Sequence, residues 1–327
     1  MLEGKELILA TREYANENKS LSWFYTISTL ILMIVSILAT AIIELWYVKL
    51  ILSIISGLLM VRMFIIYHDY EHKAILVKSK AASWLMKAYG IWILVPQSIW
   101  KRSHDYHHAH NSKLFSASIG SYPIMTKEKF MNASKSERFG YLAIRHPITI
   151  FFAYITTFMY GMCILSLTSS PKRHYDSLIA LLIHASIAIS FYIIGGWSMI
   201  LFVQTIPFFV ASLMGSYLFY AQHNFPGVEF KKNIEWSYEH AALESSSFMP
   251  MNPIMQWFTA NIGFHHIHHM NAKIPFYRLP EVMKKMPELQ KVKVTTLNPI
   301  DIIRCLRLKV WDPDQKKMIG LREVRGL

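Results

Sequence analysis

The sequence predicts an all-α integral membrane fold, with four transmembrane helices and a cytoplasmic helical cap that carries a His-rich site. Three observations predict it. Hydrophobic residues make up 53% of the 327-residue chain and charged residues only 17%, against about 25% charged in soluble domains. Uncharged apolar runs recur at lengths that suit a bilayer. Nine of the fifteen histidines gather in sets near the ends of those runs. With 34 Lys plus Arg against 21 Asp plus Glu, the net charge of +13 suits a surface facing anionic lipid, and the apolar content argues against nucleic acid. The 13 Gly, 13 Pro and two Cys exclude collagen-like, disordered and disulfide-stapled chains. Cys163 lies in an apolar run and Cys305 in a basic tail, so nothing suggests a bridge.

Residues 1–22 are polar and read as a cytoplasmic segment. Trp23 to Ile43 is 21 residues without a charge, near the ~20 that span the hydrocarbon. It is too long for the core of a cleaved signal and reads as a retained anchor. After Glu44 to Lys49, the run from Leu50 to Tyr67 is interrupted only by Arg62, whose long stem can snorkel toward water if it lies near the end. Residues 23–67 therefore form a first transmembrane pair, and residues 68–147 return to the cytoplasm. Residues 270–327 hold 13 Lys plus Arg and six Asp plus Glu, which keeps the C-terminus inside. Lys172 and Arg173 also favour the cytoplasm, so residues 148–168 are expected to be embedded but not spanning. The uncharged stretch from Leu178 to Val228 is long enough for two spans, divided by Gly195-Gly196-Trp197. Residues 178–221 then form the second pair, joined by an external turn, and residues 222–327 are cytoplasmic. The competing arrangement makes residues 148–168 the third span and places a re-entrant piece after Gly196.

The histidines form sets. His68 and His72 stand at i, i+4 just after the second crossing; His104, His107 and His108 form HxxHH; His265, His268 and His269 form a second HxxHH; His223 stands alone at the end of the last crossing. Residues three and four apart share a helix face, so each set can aim its imidazoles at one point. Nine such groups exceed the four or so that one zinc uses, and suit two ions with room for water or dioxygen. Iron, zinc, copper and nickel all accept neutral imidazole. Asp69, Glu71 and Asp105 lie beside these histidines and are candidates to accept their outer N–H groups. His110, His146, His174, His184, His240 and His266 lack the spacing and are expected to serve structure. Tyr67, Trp100 and Phe264 are expected to pack or to anchor at headgroup level.

HDYEH (68–72), HDYHH (104–108), QHNFPG (222–227) and NIGFHHIHH (261–269) resemble the His boxes of integral-membrane fatty acid desaturases. The stretch ALESSSFMPMNPIMQWFTANIGFHHIHHMNAKIPFY (242–277) is similar to bacterial acyl-lipid desaturases of the omega-6 (delta-12) type. The resemblance covers roughly residues 25 to 285. It implies a di-iron site of two non-haem Fe ions held by His68, His72, His104, His107, His108, His223, His265, His268 and His269. It also implies O2 as co-substrate, a fatty acyl lipid substrate and a bacterial inner-membrane location. Two departures stand out. Asp69, Tyr70 and Glu71 fill box one where many relatives carry a small Cys-Gly pair, and Phe219 stands where stearoyl-coenzyme A desaturases have Asn.

An unactivated methylene offers no acidic proton and no leaving group, so its dehydrogenation calls for cofactor chemistry, with the protein supplying position. An apolar tunnel between the helices would thread the acyl chain. No flavin, nicotinamide, haem or iron–sulfur motif is present in the sequence. Electrons are therefore expected from an external donor such as ferredoxin, docking on the basic cytoplasmic face; that face equally suits anionic lipid. Related hydroxylases, alkane oxidisers and carotenoid ketolases share such boxes, and a His-rich metal transporter is the rival from another class. A transporter would place its ligands near mid-bilayer, where only His184 stands.

Overall fold

The computed structural model describes residues 2–114 and 122–324; the expected segments 1–22, 68–147 and 222–327 extend beyond it at residue 1, residues 115–121 and residues 325–327. The first two long helices are α1 (Lys19–Ile42), capped by the Asn18 side chain accepting from Leu21 N, and α2 (Trp46–Glu71). They meet along small polar residues. Ser22, Thr26, Thr29, Ser36 and Thr40 are buried on α1, with Met33 completing a three- and four-residue spacing, and Ser36 Oγ lies 2.8 Å from Ser56 Oγ of α2. Small residues let two helices approach closely where lipid gives no hydrophobic drive. The outer face of α1 exposes Phe24, Ile31, Val35 and Leu38, an inside-out pattern that suits lipid.

Arg62 does not take the route to water that its long stem would allow. It is buried on α2, where Nε donates to Thr29 Oγ1 at 3.1 Å, Nη1 donates to the Trp257 carbonyl, and the guanidinium lies 4.2 Å from the Trp257 ring centroid. Neighbouring protein satisfies the charge more cheaply than a reach to the water.

Helices α3 (Lys80–Trp92) and α4 (Gln97–His110) follow, then α5 (Tyr154–Ile164), wound as a π-helix, α6 (Tyr175–Met199), α7 (Ile206–His223) and the short α8 (His265–Met270). Among the described residues three helical stretches are long and apolar enough to cross a membrane: Lys19–Ile42, Trp46–Glu71 and Tyr175–His223. The last is not one rod. Gly195 and Gly196 leave helical geometry, Gly196 at φ 62° and ψ −155°, a conformation that residues with a Cβ avoid. Gln204 Nε2 then lies 2.9 Å from His184 Nε2, although 20 residues of straight helix would separate them by about 30 Å. The chain folds back, and α6 runs beside the π-helical turn Ile200–Thr205 that leads into α7.

Both ends of the segment around α5 return to the same neighbourhood. At its start Arg145 Nη2 donates to Asn224 Oδ1 at 2.6 Å, next to His223. At its end Asp176 accepts from Ser98 N at 3.1 Å, and His174 Nδ1 lies 2.8 Å from Ser98 Oγ, on the helix that carries box two. The N-terminal residues lie along the chain after box three, with Asn271 Nδ2 donating to Thr11 Oγ1 at 3.0 Å and Arg278 Nη1 donating to the Tyr14 carbonyl at 3.1 Å. A small hairpin, Val310–Asp312 against Lys317–Ile319, closes the C-terminal region.

Candidate metal centre

All nine boxed histidines converge, and they do so in two groups. His68, His72, His104, His108 and His268 form the first; His107, His223, His265 and His269 form the second, with the ligand atoms of each group within 4.8 Å of one another. Helical geometry explains the sorting. At 100° per residue, a side chain four positions on stands about 40° to one side of the first and one three positions on about 60° to the other. On α4, His104 and His108 accordingly share the first group while His107 turns to the second. On α8, His265 and His269 share the second group while His268 turns to the first. Gly263 permits the turn into α8, because a Cβ there would lie 2.3 Å from the Met249 carbonyl oxygen.

The donor set fits metal ions. With metal–nitrogen bonds of about 2.1 Å, neighbouring ligand nitrogens on one ion lie about 3 Å apart. In the first group His104 Nε2 is 2.8 Å from His68 Nε2 and 3.2 Å from His108 Nε2, which is 3.1 Å from His268 Nε2. In the second, His223 Nε2 is 3.0 Å from His107 Nε2 and 2.8 Å from His265 Nε2, with His269 Nε2 3.2 Å from His265 Nε2. A neutral imidazole has one N–H, so nitrogens that face two others at once cannot all be satisfied by hydrogen bonds. His72 Nε2, buried in the first group, has no hydrogen-bond partner among the described residues. A shared cation answers all these lone pairs together. Burial, and then the neighbouring imidazoles, hold His72, His104, His107, His108, His265, His268 and His269 well below the usual imidazole range, so they stand neutral with lone pairs available.

Outer partners fix some of the rings. His68 Nδ1 donates to Asp69 Oδ1 at 3.2 Å, and the same carboxylate accepts from Phe276 N at 2.7 Å. His223 Nδ1 donates to the Ser245 carbonyl at 3.0 Å. Each bond leaves Nε2 as the ligating atom. The other two carboxylates named from the sequence do different work: Glu71 accepts from Gln97 Nε2 at 2.8 Å, and Asp105 pairs with Lys101 at 2.8 Å. Sequence reasoning could not find the Ser245 carbonyl, since a backbone acceptor carries no residue signature. Trp100 packs as expected, but on a box histidine, stacking on His104 with centroids 4.5 Å apart and planes at 16°. Phe219 lies 4.9 Å from the His107 ring and 5.4 Å from the His223 ring, and with Tyr122 and Arg145 it lines a cavity that reaches both histidines.

The six remaining histidines stay outside both groups. His110 stacks on Tyr106, His146 accepts from Ile148 N at its helix start, His174 meets Ser98 and His240 meets Glu229. His266 donates to the Leu289 carbonyl, and His184 pairs with Tyr154.

Comparison with known proteins agrees with this geometry. Residues 44–298 match the family model described as fatty acid desaturase. The chain is 30% identical over 277 residues to a fatty acid desaturase of Bacillus subtilis, covering 84% of this chain and 78% of the relative. It is 24% identical over 240 residues to the sn-1 oleoyl-lipid 12-desaturase of a Synechocystis species, covering 72% of this chain and 67% of the relative. Two convergent His groups capable of holding metal, placed at the ends of apolar helices and found within a match that spans most of the sequence, establish that the chain belongs to the fatty acid desaturase family.

Proposed function

We propose that the protein is an oxygen-dependent acyl-lipid desaturase that holds two non-haem irons, one in each His group. The observation that carries this reading is the division of nine imidazoles, seven of them buried and two partly so, into two clusters with ligand-like nitrogen spacing. His68, His72, His104, His108 and His268 would hold one ion, and His107, His223, His265 and His269 the other. When bound, the irons supply the O2-dependent oxidising power that removal of hydrogen from a methylene pair requires. The chain's own residues do the rest. Asp69 and the Ser245 carbonyl set the tautomers of His68 and His223. Trp100 stacks on His104 of the first cluster, with Phe64 packed against Trp100, their rings 5.2 Å apart. Phe219 and Tyr122 present apolar faces beside the second, where an acyl chain can lie without displacing ligands.

Four crossings with a cytoplasmic cap are supported by the fold-back at Gly195-Gly196, and a non-spanning segment 148–168 by the return of both its flanks to the His-box side. Cysteines replacing Lys127 and Lys172 should then resist an impermeant thiol reagent outside intact cells. A cysteine replacing Gly196 should react; labelling at 172 but not at 196 would overturn the arrangement. The electron donor is taken to be a small acidic carrier such as ferredoxin, which the +13 charge of the chain favours. Delta-12 regiochemistry rests on the Synechocystis relative and the 242–277 stretch. Expression in a host without polyunsaturated lipids, followed by gas chromatography with double-bond localisation, tests the reading. New dienoic acyl chains are expected; hydroxylated products, or none from protein with two irons, would refute it.

A further inference from the structure

A polar group buried among the apolar helices has no part in the proposed metal binding. His184 of α6, Tyr154 of α5 and Gln204 before α7 are all buried. The Tyr154 hydroxyl donates to His184 Nε2, and Gln204 Nε2 lies 2.9 Å from the same nitrogen. Ionisable residues are costly within a membrane and tend to mark function. Tyr154 and Gln204 both stand on π-helical segments, which also recur at functional places.

Pinning the helices together would account for these bonds, but not for the rings that connect them to the first His cluster. Trp100, stacked on His104, is followed by Phe64 at 5.2 Å, Tyr67 at a further 6.2 Å and Tyr89 at 6.1 Å. Trp92 comes next at 6.0 Å, Phe208 at 5.4 Å and Tyr154 at 5.5 Å. Each step lies within ring-contact distance. Phenylalanine does not readily give up an electron, so Trp100, Tyr67, Tyr89, Trp92 and Tyr154 are the donors along the path. Their partners sort them. Tyr67 donates to the Val95 carbonyl at 3.2 Å and Tyr89 to the Met60 carbonyl at 2.7 Å, and an amide carbonyl cannot take the proton that an oxidised phenol must lose. Of these three phenols, only Tyr154 donates to a base.

We propose that this path protects the enzyme. Were an ion held at the first cluster oxidised by O2 with no acyl chain in place, Tyr154 would supply one electron, relayed through Trp92, Tyr89, Tyr67 and Trp100, while its proton passes to His184. The Tyr154 O–H bond breaks and an N–H bond forms at His184 Nε2. Tyr154 becomes a neutral phenoxyl radical, and the metal centre gains one electron. The external one-electron carrier that serves the main reaction returns the electron along the same rings, and the proton goes back to the phenol. The inference rests on the two-iron reading of the clusters.

Iron-loaded protein given reductant and O2 without acyl substrate, freeze-quenched and examined by electron paramagnetic resonance, should show a phenoxyl signal. Tyr154→Phe should abolish that signal, and peptide mass spectrometry should find oxidised Trp92 and Trp100 raised several-fold, with the initial desaturation rate unchanged. His184→Gln, which keeps a hydrogen-bond acceptor but loses the base, should lose the signal with iron content and insertion intact; a pinning role alone would not change it. No phenoxyl signal from wild-type protein that retains iron and desaturates, or a signal that survives Tyr154→Phe, overturns the path and leaves the desaturase reading in place. Absence of iron-dependent desaturation overturns the reading itself.

Discussion

The two His clusters share α4 and α8 but are enclosed differently. The first takes five imidazoles from α2, α4 and α8, is covered by the Trp100 ring, and has a carboxylate behind His68. The second takes four from α4, α7 and α8, opens on a cavity, and has only a backbone carbonyl behind His223. His108 and His269 stack across the boundary, with centroids 4.2 Å apart and planes at 13°. One cluster thus takes five imidazoles beneath the Trp100 ring, while the other takes four beside a cavity. That asymmetry suits a pair in which one ion is held firmly and the other meets small molecules, since catalytic sites keep an open position.

The comparison breaks most sharply at the lone histidine. His223→Ala leaves the second cluster three imidazoles, and should abolish product and lower iron from two per chain to one, with insertion intact. His72→Ala leaves the first cluster four, and should cost less in both. Elemental analysis beside gas chromatography of the products checks the pair; equal losses would show that ligand number does not distinguish the clusters.

Asp69→Asn weakens an outer partner without removing a ligand. Such changes commonly cost about 10- to 100-fold in metal affinity or activity, and the loss here should fall on the first ion. Metal-release kinetics with a chelator would show one ion leaving faster and the other unchanged. Loss of both at the same rate would mean that the carboxylate, through Phe276 N, holds the whole cap.

Acid should act on both clusters. Burial pushes the imidazole of His266, next to a proposed ligand, from 6.5 down to about 4. Between those values the unfolded chain binds a proton that the folded chain refuses, so stability is full above about 6.5 and falls as pH drops toward 4. The cluster imidazoles shift in the same direction, and protonation competes with metal. Thermal midpoint and iron content should therefore decline together on the acid side of neutrality and stay level just above it; a decline in both as pH rises from neutrality would contradict this sign.

The smallest effect is expected at the remote group. His184→Ala should leave iron near two per chain, because His184 pairs with Tyr154 and Gln204 and lies outside both clusters. A large loss of iron would show that the helix pair around Gly196 sets the positions of the cap.

Local order was legible from the sequence because it depends on near neighbours. Apolar run length marked the long helices, and His spacing named eight of the nine residues that converge, since i, i+3 and i+4 positions follow from helix pitch alone; His223 was marked by its place at the end of the last apolar run. Gly195-Gly196 marked the break in the last long stretch because glycine accepts positive φ. Tertiary structure decided what those spacings left open. Spacing within α4 and α8 separates each i, i+4 pair from the i+3 residue, but which histidines of other elements complete each cluster depends on the direction from which α2, α7 and α8 approach α4. The partner of His223 is a backbone carbonyl 22 residues away in sequence. Arg62 turned inward because Thr29 and Trp257, from two other parts of the chain, offered it acceptors and a ring. In each case the deciding free energy comes from desolvating a polar group against a particular neighbour, and only the folded chain supplies that neighbour.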